Sequence, residues 1–276
     1  MPDHEPTEAA LQRTTHMGIG AHQDDLEVMT LHGILQCFQS RENWFTGVTV
    51  TDGRGSPRAH EYAGYTDEQM REVRRVEQKK AAFLGEYAAA VFLDYPSKAV
   101  KNPDETDLVG DLKTLIDVAS PAYLYTHNPA DKHDTHVGVA VAVIQAARQL
   151  PRSKQPKALY GCEVWRSLDW MLDEDKVVFD VSARENVGLS LLGLFDSQIS
   201  GGKRYDLATY GRKKANATYH ASHDTDQAKL LEFAMDLTPL IRNPSLDIVE
   251  YVDGFIRHFA DDVKQKLSKR LGKLRG

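Results

Sequence analysis

The chain has 276 residues, 41% of them hydrophobic and 27% charged, with a formal net charge of −6. That length suits one large α/β domain or one domain with a C-terminal elaboration, and the composition is that of a soluble globular protein. The charge leaves no global footprint for nucleic acid, and no apolar run reaches the ~20 residues of a membrane span. Cys37 and Cys162 are the only cysteines. Both sit in apolar-patterned segments, so buried thiols and a reducing compartment are expected. Residues 1–15 are polar and lack the charged-then-apolar layout of a signal peptide. They read as a flexible tail ahead of a single domain over 16–276, and the protein as cytoplasmic.

The first element is a buried strand. Met17, Ile19 and Ala21 alternate with Gly18 and Gly20, which suits a crowded position at the centre of a sheet. The strand runs into His22, Gln23, Asp24, Asp25 and Glu27. Leu31, Ile34, Leu35 and Phe38 then recur at helical spacing. In open α/β sheets ligands bind at the C-terminal ends of strands. One Asp before a helix is usually a cap, but two adjacent Asp beside a His exceed what a cap requires. The loop offers half of a metal site, since a catalytic zinc takes three protein ligands and keeps one open position.

Residues 44–51 are rich in β-branched and aromatic residues and read as a strand. Residues 52–58 follow, a glycine- and proline-containing loop carrying Arg54 and Arg58. It is either a surface connection or a substrate loop whose guanidinium groups hold anionic or hydroxyl groups. A helix is predicted over 67–84, with a Thr66/Gln69 capping box, an apolar face of Met70, Val73, Val76 and Leu84, and Gly85 as its stop. Its charge run over 71–80 reads as a solvated face. Residues 89–93 form a third strand, 107–119 a helix and 122–126 a short strand.

A second polar cluster comes next: His127, Asp131, His133, Asp134 and His136 within ten residues. It lies between a strand and the helix marked by Val137, Val141, Ile144 and Ala147. His133 and His136, three apart near a helix start, can face one side. His127 taken alone reads as a loop or capping residue. Strands at 157–165 and 176–182 continue the alternation, giving a βαβ pattern with a mainly parallel sheet. Residues 183–276 read as mostly helical, ending in a basic stretch that includes Lys264, Lys266, Lys269, Arg270, Lys273 and Arg275. Such residues favour a helix C-terminus.

With both clusters in place, the chain resembles the PIG-L/LmbE-like family of zinc-dependent N-acetyl sugar deacetylases. The family's Ala-His-Pro-Asp-Asp-x-Glu motif is matched by Ala21 to Glu27. Its His-x-x-His motif beside a Pro-x-Asp loop is matched by Pro129, Asp131, His133 and His136. Thr51 to Gly55, Ala81 to Gly85 and Ser197-Gln198 match further family features, so the resemblance runs from about residue 16 to 200. It implies an LmbE-like α/β fold, Rossmann-like, with a mainly parallel sheet flanked by helices and a helical C-terminal region. It also implies zinc bound by His22, Asp25 and His136, with Asp24 as general base and His133 beside the reaction centre. Ferrous iron accepts the same ligands. Gln23 replaces the family's proline, loosening the loop, and Thr135 stands where an Asp often partners the metal-binding His. Arg54 and Phe195 depart where acidic and histidine residues are frequent.

The expected chemistry is hydrolysis of an N-acetyl group from an amino sugar such as N-acetylglucosamine, or from a sugar conjugate. Zinc lowers the pKa of a water towards ~7. Asp24 takes its proton, and a protonated His133 stabilises the oxyanion. Asp131 or Asp134 would orient His133 and favour its charged form, and Arg58 and Arg54 would hold the substrate. A metal hydrolase acting on a non-acetyl amide or ester, or a non-catalytic metal-binding relative, stand as alternatives. A dinucleotide site lacks its Gly-x-Gly-x-x-Gly. The expected partner is a small molecule, with no nucleic acid and no membrane span. A homo-oligomer is the general expectation for a soluble enzyme.

Overall fold

The structure, a computed structural model, describes residues 1–104 and 106–272. Lys273 and Arg275 of the basic stretch lie outside the described residues. The strands are β1 (His16–Gly20), β2 (Phe45–Thr51), β3 (Ala89–Tyr95), β4 (Tyr123–His127), β5 (Ala158–Cys162), β6 (Val177–Asp180) and β7 (Leu231–Asp236). The helices are α1 (Thr7–Gln12), α2 (Asp25–Met29), α3 (Leu31–Cys37), α4 (Asp67–Leu84), α5 (Ser97–Val100) and α6 (Asp107–Ala119) in the first half. They continue as α7 (Asp134–Arg148), α8 (Glu185–Leu192), α9 (Asp196–Ile199), α10 (Tyr205–Tyr219), α11 (Thr238–Arg242) and α12 (Ile248–Arg270). Among the described residues no helix is long and apolar enough to cross a membrane.

The strands make one sheet in the order β3-β2-β1-β4-β5-β7-β6. The pairs among β1 to β5 are parallel, and β7 runs antiparallel to β5 and β6. This is the α/β fold that the sequence predicts, with its mainly parallel sheet covered on both faces. Met17, Ile19 and Ala21 of the β1 region join one core with Leu112, Ile116, Val139 and Val143 of α6 and α7. The glycines between them serve the other face. A Cβ on Gly18 would lie 2.8 Å from the Phe45 ring and 3.0 Å from Leu26. A Cβ on Gly47 of β2 would lie 2.8 Å from Leu26 as well. Leu26 is therefore wedged into a notch between two strands, a burial that contributes ~2 kcal/mol. Cys37 and Cys162 are buried free thiols.

Three expectations are revised. The segment read as a tail contains α1, which buries Ala10 and Leu11, and Thr14 hydrogen-bonds back to the Ala10 carbonyl. β7 lies inside the region read as mostly helical. It is buried along almost its whole length, and a strand covered on both faces shows no alternation. The third concerns α4. Its capping box forms as the spacing predicts, but its charge run is not a solvated face. Arg74, Glu77 and Gln78 are buried, while Val76 and Phe83 are 48% and 71% exposed. The helix turns a polar stripe inward because the two loops it covers present backbone carbonyls and carboxylates there.

Gly138 of α7 passes the end of α5 so closely that a Cβ would sit 2.4 Å from the Val100 carbonyl oxygen. Gly138→Ala gains ~1 kcal/mol of helix propensity but loses ~1–3 kcal/mol to the clash. The expected outcome is net destabilisation in urea unfolding, and a variant as stable as wild type would refute the close approach. His16 provides a pH signature away from the strand ends. Burial, then the neighbouring His32, pushes its pKa down to about 4. Between the ordinary value of ~6.5 and that value the unfolded chain binds a proton that the native chain refuses, so stability falls as pH falls. From pH 7 to 5 this group costs about 2 kcal/mol. Its ring stacks 4.9 Å from Tyr123, so His16→Phe keeps the stacking. The variant should lose that part of the pH slope in unfolding titrations.

Candidate metal centre and active site

The sheet order reverses between β1 and β4, since β2 and β3 extend to one side and β5 to the other. Loops leaving the C-terminal ends of β1 and β4 diverge there and open a crevice, the general ligand position of such sheets. Both polar clusters of the sequence follow these two strands. Asp25 Oδ2 is their meeting point. It accepts the His22 backbone N–H at 2.7 Å and lies 3.3 Å from His22 Nδ1 and 3.4 Å from His136 Nε2. Those two ring nitrogens are 3.2 Å apart. A tetrahedral ion with bonds of 2.0–2.1 Å has ligand atoms about 3.3–3.4 Å from one another. The triangle therefore has the dimensions of a zinc-type site, built from borderline and hard donors that suit zinc or ferrous iron.

Two further donor groups lie within 4.8 Å: His22 with His133 and His136, and Asp25 with His127 and His136. His127 is fully buried, and its Nε2 accepts the Ala21 backbone N–H at 2.8 Å. That nitrogen's lone pair is thus engaged, and the ring ties the end of β4 to the end of β1. Burial, then His136, pushes the His127 pKa down to about 4, so the ring stays neutral. Burial raises the Asp25 pKa, but His136 and His127 outweigh it and hold the carboxyl well below the usual range.

Asp24 precedes α2 with φ at +93° and makes no capping hydrogen bond through its side chain. A positive φ on a non-glycine residue stores backbone strain of order 1–3 kcal/mol. The surrounding structure enforces it. The Asp24 N–H donates to Gln78 Oε1 at 3.2 Å, and Arg74 donates to the Gln23 carbonyl at 2.6 Å and to Gly53 at 3.3 Å. Arg74 Nη2 lies 3.8 Å from Asp24. Burial raises the Asp24 pKa well above normal, Arg74 opposes it, and Asp25, Glu27 and Glu77 add to it. Gln23 is buried and donates to the Thr51 carbonyl at 3.2 Å. It fastens the first loop to β2 rather than loosening it.

In the second loop the Asp131 carboxylate accepts the backbone N–H groups of His133 and Trp165 at 2.9 and 3.2 Å and lies 3.6 Å from His136 Nδ1. It therefore faces His136 rather than the His133 ring, on the side where Thr135 supplies no partner, but it stops short of a hydrogen bond, and His136 Nδ1 is buried without one. Asp134 is exposed at the start of α7, away from the crevice. Burial, then His136 and His22, lowers the His133 pKa, so the ring is neutral, not the cation that the sequence reading requires. Its Nδ1 is buried without a hydrogen-bond partner.

His22, Asp24, Asp25, Arg74 and His133 line a cavity of about 700 Å³, with His136 buried behind them. Arg54 and Arg58 do not reach it. Arg54 pairs with Asp52 at 2.7 Å and Glu68 at 2.9 Å, and Arg58 pairs with Asp67 and donates to the Tyr65 carbonyl at 2.9 Å. Asp52 and, from the start of α4, Asp67 and Glu68 capture both guanidinium groups, and their loop lines the cavity through Gly53, Gly55, Ser56 and Pro57. The walls that sequence reasoning missed come from later elements: Trp165, Lys203, Tyr205 and Arg212. For α4 a signal existed. Met70, Arg74, Glu77, Gln78 and Ala81 share one helical face, which mixes core and site positions. For the residues after 160 no motif or period marked them.

The first loop is also held from behind. The helix after Asp25 breaks at Thr30, between α2 and α3. Buried Lys213 of α10 donates to the Val28 carbonyl at 2.8 Å and pairs with Glu232 of β7. Glu232 accepts the His32 N–H at 2.9 Å.

Residues 17–147 match the family model described as PIG-L: GlcNAc-PI de-N-acetylase. No curated protein sequence matches the chain. Several solved structures share its fold. N,N'-diacetylchitobiose deacetylase from Pyrococcus horikoshii is 12% identical, with a TM-score of 0.62, over 88% of this chain and 90% of that one. GalB, the 4-carboxy-2-hydroxymuconate hydratase from Pseudomonas putida KT2440, is 15% identical, with a TM-score of 0.61, over 81% and 96%. The zinc-inhibited form of teicoplanin deacetylase Orf2 is 16% identical, with a TM-score of 0.58, over 81% and 97%. At such identities the likeness speaks for the fold, and a hydratase among these neighbours shows that this fold hosts more than one reaction. Over the segment that carries both polar loops the chain is thus similar to the PIG-L family, and its fold is that of LmbE-like proteins.

Proposed function

We propose that the protein is a metal-dependent hydrolase that removes the acetyl group from an N-acetylated amino sugar or its conjugate. The observation that carries this reading is the triangle of His22 Nδ1, Asp25 Oδ2 and His136 Nε2, with sides of 3.2 to 3.4 Å, beside the unspent carboxylate of Asp24. The three side chains would hold zinc or ferrous iron. When bound, such an ion supplies a Lewis acid that polarises a carbonyl and acidifies water, and its charge opposes the burial that raises Asp24.

The remaining work falls to the chain. Asp24 accepts the proton of the attacking water as general base, and its strained, doubly tethered backbone aims the carboxylate into the cavity. Arg74 favours the ionised form that this role needs. A neutral His133 donates its ring N–H to the oxyanion, which needs an oriented donor and not a full charge. Asp24 then returns the proton to the departing amine. Asp131, 3.6 Å from His136 Nδ1, favours a proton on that nitrogen and so leaves Nε2 for the ion.

Acetate release from N-acetylglucosamine and its conjugates by zinc-loaded protein tests the reading. Asp24→Asn should lower kcat by about 10²–10⁴-fold while metal content is kept. Activity that survives this change would remove Asp24 from the chemistry. His136→Ala should abolish stoichiometric zinc in metal analysis of folded protein, and full retention would dismantle the proposed ligand set. Asp131→Asn should weaken zinc affinity by about 10–100-fold in chelator competition. An unchanged affinity would show that Asp131 does not act on the ligand. Release of a different acid from other amides or esters, with acetate absent, would move the assignment to a non-acetyl hydrolase.

A further inference from the structure

The protein is acidic overall, with a net charge of −6, yet its cavity is not. Arg74, Lys101, Lys203 and Arg212 line it against Asp24 and Asp25, four cations against two carboxylates, a net of +2. Arg74 is consumed by Gln23, Gly53 and Asp24. Lys101 and Lys203 take part in no ion pair among the described residues, and Arg212 shares its charge with the buried Glu163 carboxylate behind the wall. A cavity whose lining carries more cations than carboxylates, two of them lysines without an ion pair, attracts and retains anions.

Lys203 is held in place. Glu77 accepts the N–H and hydroxyl of Ser197 at 2.7 and 2.6 Å, and Lys203 N–H donates to the Gln198 carbonyl at 2.8 Å. The turn between them has no room for a side chain at Gly201, where a Cβ would lie 1.9 Å from the Ser197 carbonyl oxygen. The Lys203 ammonium lies 5.4 Å from the Trp165 ring centroid. Arg212 is anchored on the same wall through the Val164 carbonyl, with donors to spare on its guanidinium. Lys101 joins from the end of α5.

We infer that this cavity selects substrates bearing an oxyanion, a phosphate or a carboxylate, received by Lys203 and Arg212 on the Trp165 wall with Lys101. The inference rests on the proposed deacetylase reading for the acetylated end of the substrate. It adds the chemistry of the other end. Lys101 and Lys203 are exposed and outside the metal triangle, so their replacement tests the charge without disturbing the core.

The experiment is calorimetric binding to zinc-loaded protein at low salt. The probes are N-acetylglucosamine, N-acetylglucosamine 6-phosphate and the carboxylate-bearing N-acetylmuramic acid. At least one anionic sugar should bind about tenfold or more tightly than the neutral sugar. The preferred anion tells phosphate from carboxylate. The advantage should shrink towards unity at about 0.5 M salt and in the Lys101→Gln/Lys203→Gln double variant. Equal affinities, no measurable binding of either anionic sugar, or an advantage that survives the double variant would overturn the inference. Acetate release is measured alongside: an anion preference without acetate from any probe supports the anion site and counts against the deacetylase reading alone.

Discussion

Leu26 occupies the notch left by Gly18 and Gly47, and the position of Asp25 depends on that fit. A carboxylate that must meet two imidazoles within a few tenths of an ångström cannot ride on a freely moving loop. Here the residue next to it is locked into the two central parallel strands by van der Waals contact. The proposed metal triangle is thus an extension of sheet packing. β1 needs glycines on one face to admit Leu26 and large apolar residues on the other to hold α6 and α7. The same strand satisfies both because its faces alternate.

Concentrating acid in this place is costly. Asp24, Asp25, Glu27 and Glu77 are all buried, and Arg74 is the one buried guanidinium among them. The chain distributes the load by chemistry. Asp25 is held ionised by histidines. Glu27, pushed up to about 7 by burial, accepts from Tyr87 and Gln78 at 2.7 Å each on Oε1, while its Oε2 is buried without a partner. Glu77 accepts two hydrogen bonds from Ser197. Only Asp24 has its protonation opposed by one cation and promoted by three neighbouring carboxylates. Such divergence between neighbouring acids is what the proposed proton transfer at Asp24 needs.

The sheet and the two polar loops were legible because they rest on local pattern. Strands β1 to β5 show β-branched or alternating runs, and the ligand types cluster within ten residues after β1 and β4. What was not legible depends on long-range contact. His127 reads as a loop residue in sequence, yet it closes β4 against Ala21, more than a hundred positions away. Arg58 looked like a substrate residue because nothing local says that Asp67 will capture it. The inward polar stripe of α4 obeys helical periodicity, but an apolar template cannot find a face whose buried members are Arg74, Glu77 and Gln78. β7 carries no alternation, since both its faces are covered.

The break at Thr30 has a consequence for how far the family-matched segment can stand alone. Where α2 gives way to α3, a carbonyl and an amide lose their helical partners. Lys213 and Glu232, from α10 and β7, take them up. Those two residues lie outside 17–147. A domain cut at the end of that segment would keep all three proposed ligands, His22, Asp25 and His136. It would also expose the groups that the buried ion pair satisfies, one turn beyond Asp25. The C-terminal third of the chain is therefore not a detachable module. Grafting this site onto another scaffold, or exchanging C-terminal regions between relatives, must carry Lys213 and Glu232 along as a unit.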